Sequence, residues 1–141
     1  MADNHSKEVR SNNMSRIRST NTKPEVIVRR YLHSRGLRYR KNDKRYPGHP
    51  DIVLPKYKTC VFVNGCFWHQ HPECKYAVLP ASNQDYWVPK LKRNAERDAE
   101  NTRLLERNGW HVITVWECQL KNPARADTLE NLFAAIKLNK R

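Results

Sequence analysis

Three residues within a nine-residue stretch carry side chains that bind transition metals. Cys66, His71 and Cys74 have the spacing Cys-x4-His-x2-Cys, and Cys118 follows later in the chain. Sulfur and imidazole ligands suit tetrahedral zinc, and four protein ligands leave no open position for catalysis. The spacing therefore predicts a structural zinc site. The alternative is that the cysteines are small buried residues and that His71 lies on the surface.

Two carboxylates have the type and placement needed for hydrolysis of a phosphodiester. Asp51 follows Pro50 at the start of a predicted strand, although a Pro-Asp pair is also an ordinary turn. A carboxylate at a strand end is a frequent ligand of Mg²⁺, which orients water and neutralises developing charge. Glu25 offers a second carboxylate, but its spacing from Thr22 equally indicates a helix capping box.

His69 lies between two of the predicted zinc ligands and is offset from both of them. A neutral imidazole accepts a proton from water near neutral pH, so His69 is a candidate general base. Its spacing also allows a fourth zinc ligand in place of Cys118, or a surface residue.

Two pairs of adjacent aromatic residues flank this region. Phe67 and Trp68 follow a glycine, and Tyr86-Trp87 begins a predicted helix. Aromatic side chains near basic residues stack on bases or wedge between base pairs, although core packing is the more usual fate of tryptophan. Core packing is the interpretation for Trp110 and Trp116, which lie in a predicted strand, and for Cys60, which lies in an apolar run.

The elements that must position these residues alternate between helix and strand. The predicted helices span residues 23–35, 84–108 and 127 onward, and the predicted strands span residues 37–40, 51–54, 59–63 and 110–116. The buried faces of the last two helices are expected to include Leu91, Ala95, Thr102, Leu105, Leu129, Leu132, Phe133 and Ile136. This order predicts one mixed α/β domain over residues 22–141, preceded by a flexible basic arm over residues 1–21.

The charge of the chain indicates an anionic partner. Among 141 residues there are 27 Lys or Arg and 14 Asp or Glu, a net charge of +13. The first 46 residues hold 13 basic and 4 acidic side chains, including the DNA-binding candidates Arg16 and Lys23. Nucleic acid is the expected partner, and a solvated basic face is the alternative.

No apolar stretch approaches the roughly 20 residues that a membrane helix needs, and the first ten residues are polar. The sequence therefore predicts a cytosolic protein without a membrane partner. Its cysteines would then lie in a reducing compartment, where metal binding or burial is favoured over disulfides.

Five short strings together resemble the very-short-patch-repair (Vsr) DNA mismatch endonucleases, from Lys7 to beyond Cys118. These strings are Gly65-Cys66-Phe67-Trp68-His69, Pro50-Asp51, Arg97-Asp98, Gly109-Trp110 and Val115-Trp116-Glu117-Cys118. The resemblance implies a restriction-endonuclease-like domain that nicks DNA 5′ to the T of a T:G mismatch, the product of 5-methylcytosine deamination, using magnesium.

The resemblance also implies roles for individual residues. Asp51 and the backbone carbonyl of Val63 would bind magnesium, Glu25 would assist, and His69 would activate water. The zinc ligands implied are Cys66, His71, Cys74 and Cys118, in agreement with their spacing. The aromatic side chains of Phe67, Trp68 and Trp87 would enter the duplex from the major groove, and Met14 would approach from the minor groove.

One departure from the family bears on catalysis. Val63-Asn64 stands where better-known members have Thr-His. Any residue retains the backbone carbonyl, but an Asn side chain can hydrogen-bond a phosphate or water and cannot carry a proton. More of the proton transfer would therefore fall to His69.

The resemblance further implies partners and a location. These are the mismatched duplex, the mismatch-repair protein MutL, a DNA polymerase and a companion cytosine-5 methyltransferase. The protein would be a monomer in the bacterial cytoplasm, at the nucleoid when bound to DNA.

Two other functions stay open at this point. One is a zinc-stabilised DNA-binding protein without catalysis, in which Asp51 is a turn residue and Asn64 marks a lost active site. The other is a nuclease of the same fold with a relaxed or different specificity.

Overall fold

The apolar run that begins at Thr59 forms an internal strand of the sheet in the computed structural model, which describes residues 22–79 and 81–139. The elements in chain order are α1 (Lys23–Ser34), β1 (Arg40–Lys41), β2 (Ile52–Leu54), β3 (Thr59–Asn64), α2 (Gln84–Arg107), β4 (His111–Trp116) and α3 (Arg125–Leu138). Short 3₁₀ turns lie at Pro55–Tyr57, Lys75–Ala77 and Glu117–Leu120. The prediction of a mixed α/β fold is confirmed.

The sheet has the order β1-β2-β3-β4. β1 pairs with β2 and β2 with β3 in antiparallel fashion, whereas β3 and β4 are parallel. The start of β2 therefore lies at the same edge of the sheet as the ends of β3 and β4. This edge collects Asp51, Asn64 and the residues that follow Trp116.

Alternating side chains of β2 and β3 build a core on each face of the sheet. On one face, Ile52 and Val61 pack in a cluster with residues of α1 and α3, including Leu32 and Ile136. On the other face a smaller cluster packs against α2. Its buried members are Val53, Cys60 and Leu105, and Trp110 packs against them. The core positions expected for Cys60 and Trp110 are therefore observed.

Two predicted element bounds are wrong. The strand expected from residue 37 is reduced to Arg40–Lys41, because Leu37 closes the end of α1 by donating its N–H to the Leu32 carbonyl at 3.1 Å. The last helix begins at Arg125, before the expected cap at Asp127, and its N-cap residue makes no side-chain capping bond. Arg125 instead anchors the first turn by donating its Nε to the Leu120 carbonyl at 2.7 Å.

The buried faces of the helices follow the predicted periodicity. Leu91 and Leu105 of α2 are buried, and Ala95 and Thr102 are half-buried. In α3, Leu129, Leu132 and Ile136 are buried, and Phe133 is partly buried. Within the described residues, no helix combines the length and apolar character needed to cross a membrane. The predicted arm over residues 1–21 lies outside the described residues, so the domain boundary stays a prediction.

Candidate functional site

Asp51 lies directly before β2 and is half-buried. Its Oδ2 accepts a hydrogen bond from the Val63 backbone N–H at 2.6 Å, which ties the carboxylate to the end of β3. Burial raises the pKa of Asp51 to about 7 against the opposing effect of the Val63 hydrogen bond, and the nearby Glu25 carboxylate raises it further. Two carboxylates held close together with little water are a suitable donor set for a divalent cation.

Glu25 lies at the start of α1, where its carboxylate contacts Thr22 and also lies near Asp51. Its N–H donates to the Thr22 side chain at 3.5 Å at the start of α1, and the Thr22 hydroxyl donates back to Oε1 at 3.3 Å. The buried carboxylate also accepts from Arg29 Nη1 at 3.3 Å and from Asn42 Nδ2 at 3.4 Å. The capping contact with Thr22 and the approach to Asp51 therefore coexist.

His69 pairs with Asp98 of α2, with 2.5 Å between Nδ1 and Oδ2. Such a pair fixes the orientation of the imidazole and leaves Nε2 for other chemistry. No role for Asp98 follows from its position in the sequence alone. The available signal is helical spacing, because Asp98 is seven residues from both Leu91 and Leu105, the buried residues of α2.

Asn64 ends β3 and approaches the same pair. It is 8% exposed and lines a small cavity of about 30 Å³ with Asp98 and Thr114. Val63, also 8% exposed, precedes it and lies beside Asp51 through its N–H. Asn64 thus lies at the end of β3 and shares this cavity with Asp98, the partner of His69.

The four predicted zinc ligands come together in space. One ligand atom from each of Cys66, His71, Cys74 and Cys118 lies within 4.8 Å of the others. His71 Nδ1 is 3.7 Å from Cys66 Sγ and 3.4 Å from Cys118 Sγ. Bonds of about 2.3 Å from zinc to sulfur and about 2.1 Å from zinc to nitrogen place these two kinds of ligand about 3.6 Å apart in a tetrahedron, so the two distances fit the metal.

His69 is not part of this metal cluster, because it faces Asp98. Burial raises the pKa of the Cys66 thiol against the opposing effect of the Cys118 backbone N–H, so a bound cation would further favour the thiolate. The placement of Trp116 differs from expectation. Instead of joining either core it stacks on the ring of His71, with centroids 4.1 Å apart and planes at 7°.

Three of the aromatic side chains form a cluster beside His69. Ring centroids are 5.3 Å apart for Phe67 and Trp68, 5.3 Å for Phe67 and Trp87, and 5.7 Å for Trp68 and Trp87. Tyr86 extends this aromatic cluster, 5.0 Å from Trp87, and is 57% exposed. The cluster is half-buried and lies outside both cores of the sheet.

The remaining DNA-binding candidates are Lys23, Met14 and Arg16. Lys23 is exposed at the first residue of α1, and Met14 and Arg16 lie outside the described residues.

Comparison with known proteins gives one consistent result. The profile of a family described as "DNA mismatch endonuclease Vsr" matches residues 2–75. The chain is 54% identical to the type II nicking enzyme V.NmeAIP of Neisseria meningitidis, over 97% of this chain and 98% of that protein. It is 46% identical to the type II nicking enzyme V.XorIIP of Xanthomonas oryzae, over 86% and 89%. It is 40% identical to the DNA mismatch endonuclease Vsr of Escherichia coli, over 86% and 77%.

Proposed function

Because the chain belongs to the Vsr family of DNA mismatch endonucleases, we propose that it nicks one strand of a duplex 5′ to the T of a T:G mismatch, with magnesium as cofactor. It is a DNA endonuclease, a hydrolase of phosphodiester bonds. One observation carries the finer proposal: the Glu25 carboxylate and the His69 imidazole both lie close enough to Asp51 to influence its charge. His69 pairs with Asp98 and directly follows Trp68, a member of the aromatic cluster that neither core uses.

Asp51 and Glu25 would hold the magnesium ion, together with the Val63 carbonyl. The raised pKa of Asp51 supports this assignment, because a bound divalent cation offsets the cost of keeping the carboxylate charged. Such an ion lowers the pKa of a bound water and neutralises charge that develops on the phosphate. Val63 fixes the direction of Asp51 through its N–H at 2.6 Å.

His69 would take the proton from the attacking water through Nε2. The Asp98 carboxylate holds Nδ1 and stabilises the imidazolium that results. Asn64 would contribute a hydrogen bond to water or to phosphate and no proton transfer. The proton therefore has one acceptor in this arrangement, which is His69.

The aromatic cluster of Phe67, Trp68 and Trp87 would enter the duplex at the mismatch. A T:G pair stacks less well than a matched pair, so a wedge of aromatic rings unstacks it at lower cost. Trp68 is joined to His69 by one peptide bond, and insertion would place the neighbouring phosphate near the carboxylates. Met14, Arg16 and Lys23 would add contacts along the duplex.

Replacing Trp68 by alanine is expected to reduce discrimination between a T:G duplex and its matched T:A control by about 10- to 100-fold, because aromatic stacking on a base contributes about 1–3 kcal/mol. The measurement is the ratio of the two nicking rates at equal protein concentration. Tyr76→Ala is the matched control, since Tyr76 is 45% exposed and lies outside the cluster. An unchanged ratio in Trp68→Ala would exclude the wedge.

A second candidate function is nicking at a defined matched sequence. It is favoured by the names of two relatives, which are type II nicking enzymes at 54% and 46% identity. Family membership favours either nuclease over a DNA-binding protein without catalysis.

The test uses end-labelled duplexes that contain one T:G mismatch or the matched T:A pair, in several flanking sequences and with magnesium. A nick in the T strand alone, only in mismatched duplexes, is the expected result. Equal nicking of matched and mismatched duplexes at one flanking sequence would establish the second candidate instead. Binding without any nick would overturn both.

We also propose that the protein acts as a monomer in the bacterial cytoplasm. MutL, a DNA polymerase and a cytosine-5 methyltransferase would be its partners in repair. Family membership supports these expectations. For the polymerase there is also a chemical reason, because repair of a nicked strand requires new DNA synthesis.

A further inference from the structure

The turn that carries the functional histidines ends in the same way as α1 and α2. The His71 N–H donates to the Cys66 carbonyl at 3.0 Å, and the Gln70 N–H donates to the Phe67 carbonyl at 3.3 Å. This nested pair of hydrogen bonds is the Schellman motif, which requires a left-handed residue at its fifth position. That residue is Gln70, with φ of 48°.

Within the described residues, two further Schellman motifs have glycine at the equivalent position. Gly36 ends α1 with φ of 80°, and Gly109 ends α2 with φ of 86°. Both show the same nested hydrogen bonds to the preceding helix. Glycine adopts this conformation freely, whereas a glutamine there is strained. Gln70 is the exception among these three motifs, so its side chain is the group that distinguishes this turn from the ends of α1 and α2.

That side chain makes two hydrogen bonds to backbone carbonyls. Gln70 Nε2 donates to Phe67 O at 2.7 Å and to Ala77 O at 3.3 Å. The Phe67 carbonyl thus accepts hydrogen bonds from both the backbone and the side chain of Gln70. The bond to Ala77 joins this turn to the 3₁₀ turn Lys75–Ala77, which directly follows Cys74. One amide thus links the two ends of the loop over residues 66–77, the 66–77 loop.

The residues on either side of Gln70 face different partners. His69 faces Asp98 on α2, and His71 faces Cys118 and the ring of Trp116. Phe67, whose carbonyl accepts the shorter amide bond, contacts Trp68 and Trp87. The conformation at Gln70 therefore controls the relative placement of the candidate base, the metal cluster and the aromatic cluster.

We propose that Gln70 is a positioning residue for nicking, whose side-chain amide holds the 66–77 loop so that His69 and Phe67 engage the same DNA site together. The inference rests on the proposed function of that site. The position has two requirements, a left-handed backbone conformation and a side-chain amide that donates hydrogen bonds. Glycine adopts the conformation without strain, but only glutamine also supplies the amide.

The experiment compares Gln70→Gly and Gln70→Met with the wild-type protein. Gln70→Gly is expected to match or exceed the wild-type Tm and to keep its zinc, yet to lose about ten-fold in single-turnover nicking rate at saturating T:G duplex and in T:G over T:A discrimination. Gln70→Met keeps the strain and lacks the donor, so it should lose both Tm and activity. Asn139→Ala is the control, because it removes a 2.7 Å amide bond to the Tyr57 carbonyl, remote from the loop.

Wild-type rate and discrimination in Gln70→Gly would overturn the inference. Loss of zinc from that variant would also overturn it, because the metal cluster would then explain the change. A wild-type protein that does not nick T:G duplexes would refute the proposed function instead. In that case, near-ultraviolet circular dichroism of the aromatic cluster still tests Gln70, with an altered spectrum expected in Gln70→Gly and an unchanged one contradicting its role.

Discussion

Replacing Asp51 by asparagine is expected to reduce magnesium-dependent nicking by at least about 10³-fold while leaving binding to mismatched duplex within a few-fold of wild type. The carboxylate is the proposed magnesium ligand, and its loss removes several kcal/mol of charge stabilisation in the transition state. Asparagine keeps the shape and can still accept the Val63 N–H, so the end of β3 stays in place. The proposed DNA-binding groups are basic side chains and aromatic rings, and the substitution leaves them intact.

The same variant is expected to be more stable than wild type at pH 8 without divalent ions. The pKa of Asp51 is about 7 in the folded protein and near 4 in the unfolded chain. The folded state therefore binds this proton more tightly, and the stability contributed by Asp51 is lost as pH rises from about 4 to about 7. Asparagine does not ionise, so its advantage grows over that window to on the order of 2 kcal/mol.

Thermal unfolding at pH 5 and pH 8, with and without magnesium, measures this effect. Magnesium should raise the Tm of wild type alone and so reduce the difference at pH 8. Asp43→Asn is the matched control, because Asp43 is paired with the exposed Arg45, and its hydrogen bonds from Arg45 lower its pKa to about 2. Wild-type nicking by Asp51→Asn would remove Asp51 from the mechanism.

Periodicity and burial are enough to predict most of the fold. The run Thr59–Val63 is continuously apolar because both faces of the sheet are covered, by α1 and α3 on one side and by α2 on the other. Such a run predicts a buried strand. The strand expected at Leu37 fails for a local reason. Leu37 is buried because it packs at the end of α1. Its apolar side chain therefore produces the alternation of apolar and polar residues that is typical of a strand, although the residue is not in one.

The candidate site is less predictable, because its contacts join segments far apart in the chain. Cys66 and Cys118 could be grouped from side-chain chemistry alone, since few residue types bind zinc. Helical spacing from Leu91 and Leu105 could place Asp98 on the buried face of α2, but nothing in the sequence pairs it with His69. The stacking of Trp116 on His71 depends on the register of β4 with β3, which sequence periodicity does not supply.

Removing the metal cluster is expected to abolish nicking without unfolding the sheet. The cluster lies at the edge where β3 and β4 end, and the described buried clusters on both faces contain none of its four residues. Loss of the metal should therefore release the 66–77 loop locally. Because Phe67, Trp68 and His69 lie in that loop, mismatch discrimination and catalysis should be lost together.

Cys118→Ala tests this expectation with a defined change, since Cys118 is the proposed ligand that would join the loop to the end of β4. We expect zinc content to fall from one per chain to near zero and nicking to fall by at least about 100-fold, with most of the far-ultraviolet circular dichroism retained. Cys60→Ala is the matched control, because Cys60 is buried against Leu105 and should keep its zinc while losing some core stability.

The two cysteine variants distinguish a zinc site from a cysteine-rich core. Full zinc content in Cys118→Ala, or no zinc in wild-type protein, would show that the four residues are not the ligands. Global unfolding of Cys118→Ala would show instead that the metal supports the whole domain. Local release is expected because the ends of β3 and β4 are paired through Asn64 and Trp116 independently of the metal, so the sheet should outlast the loop that it positions.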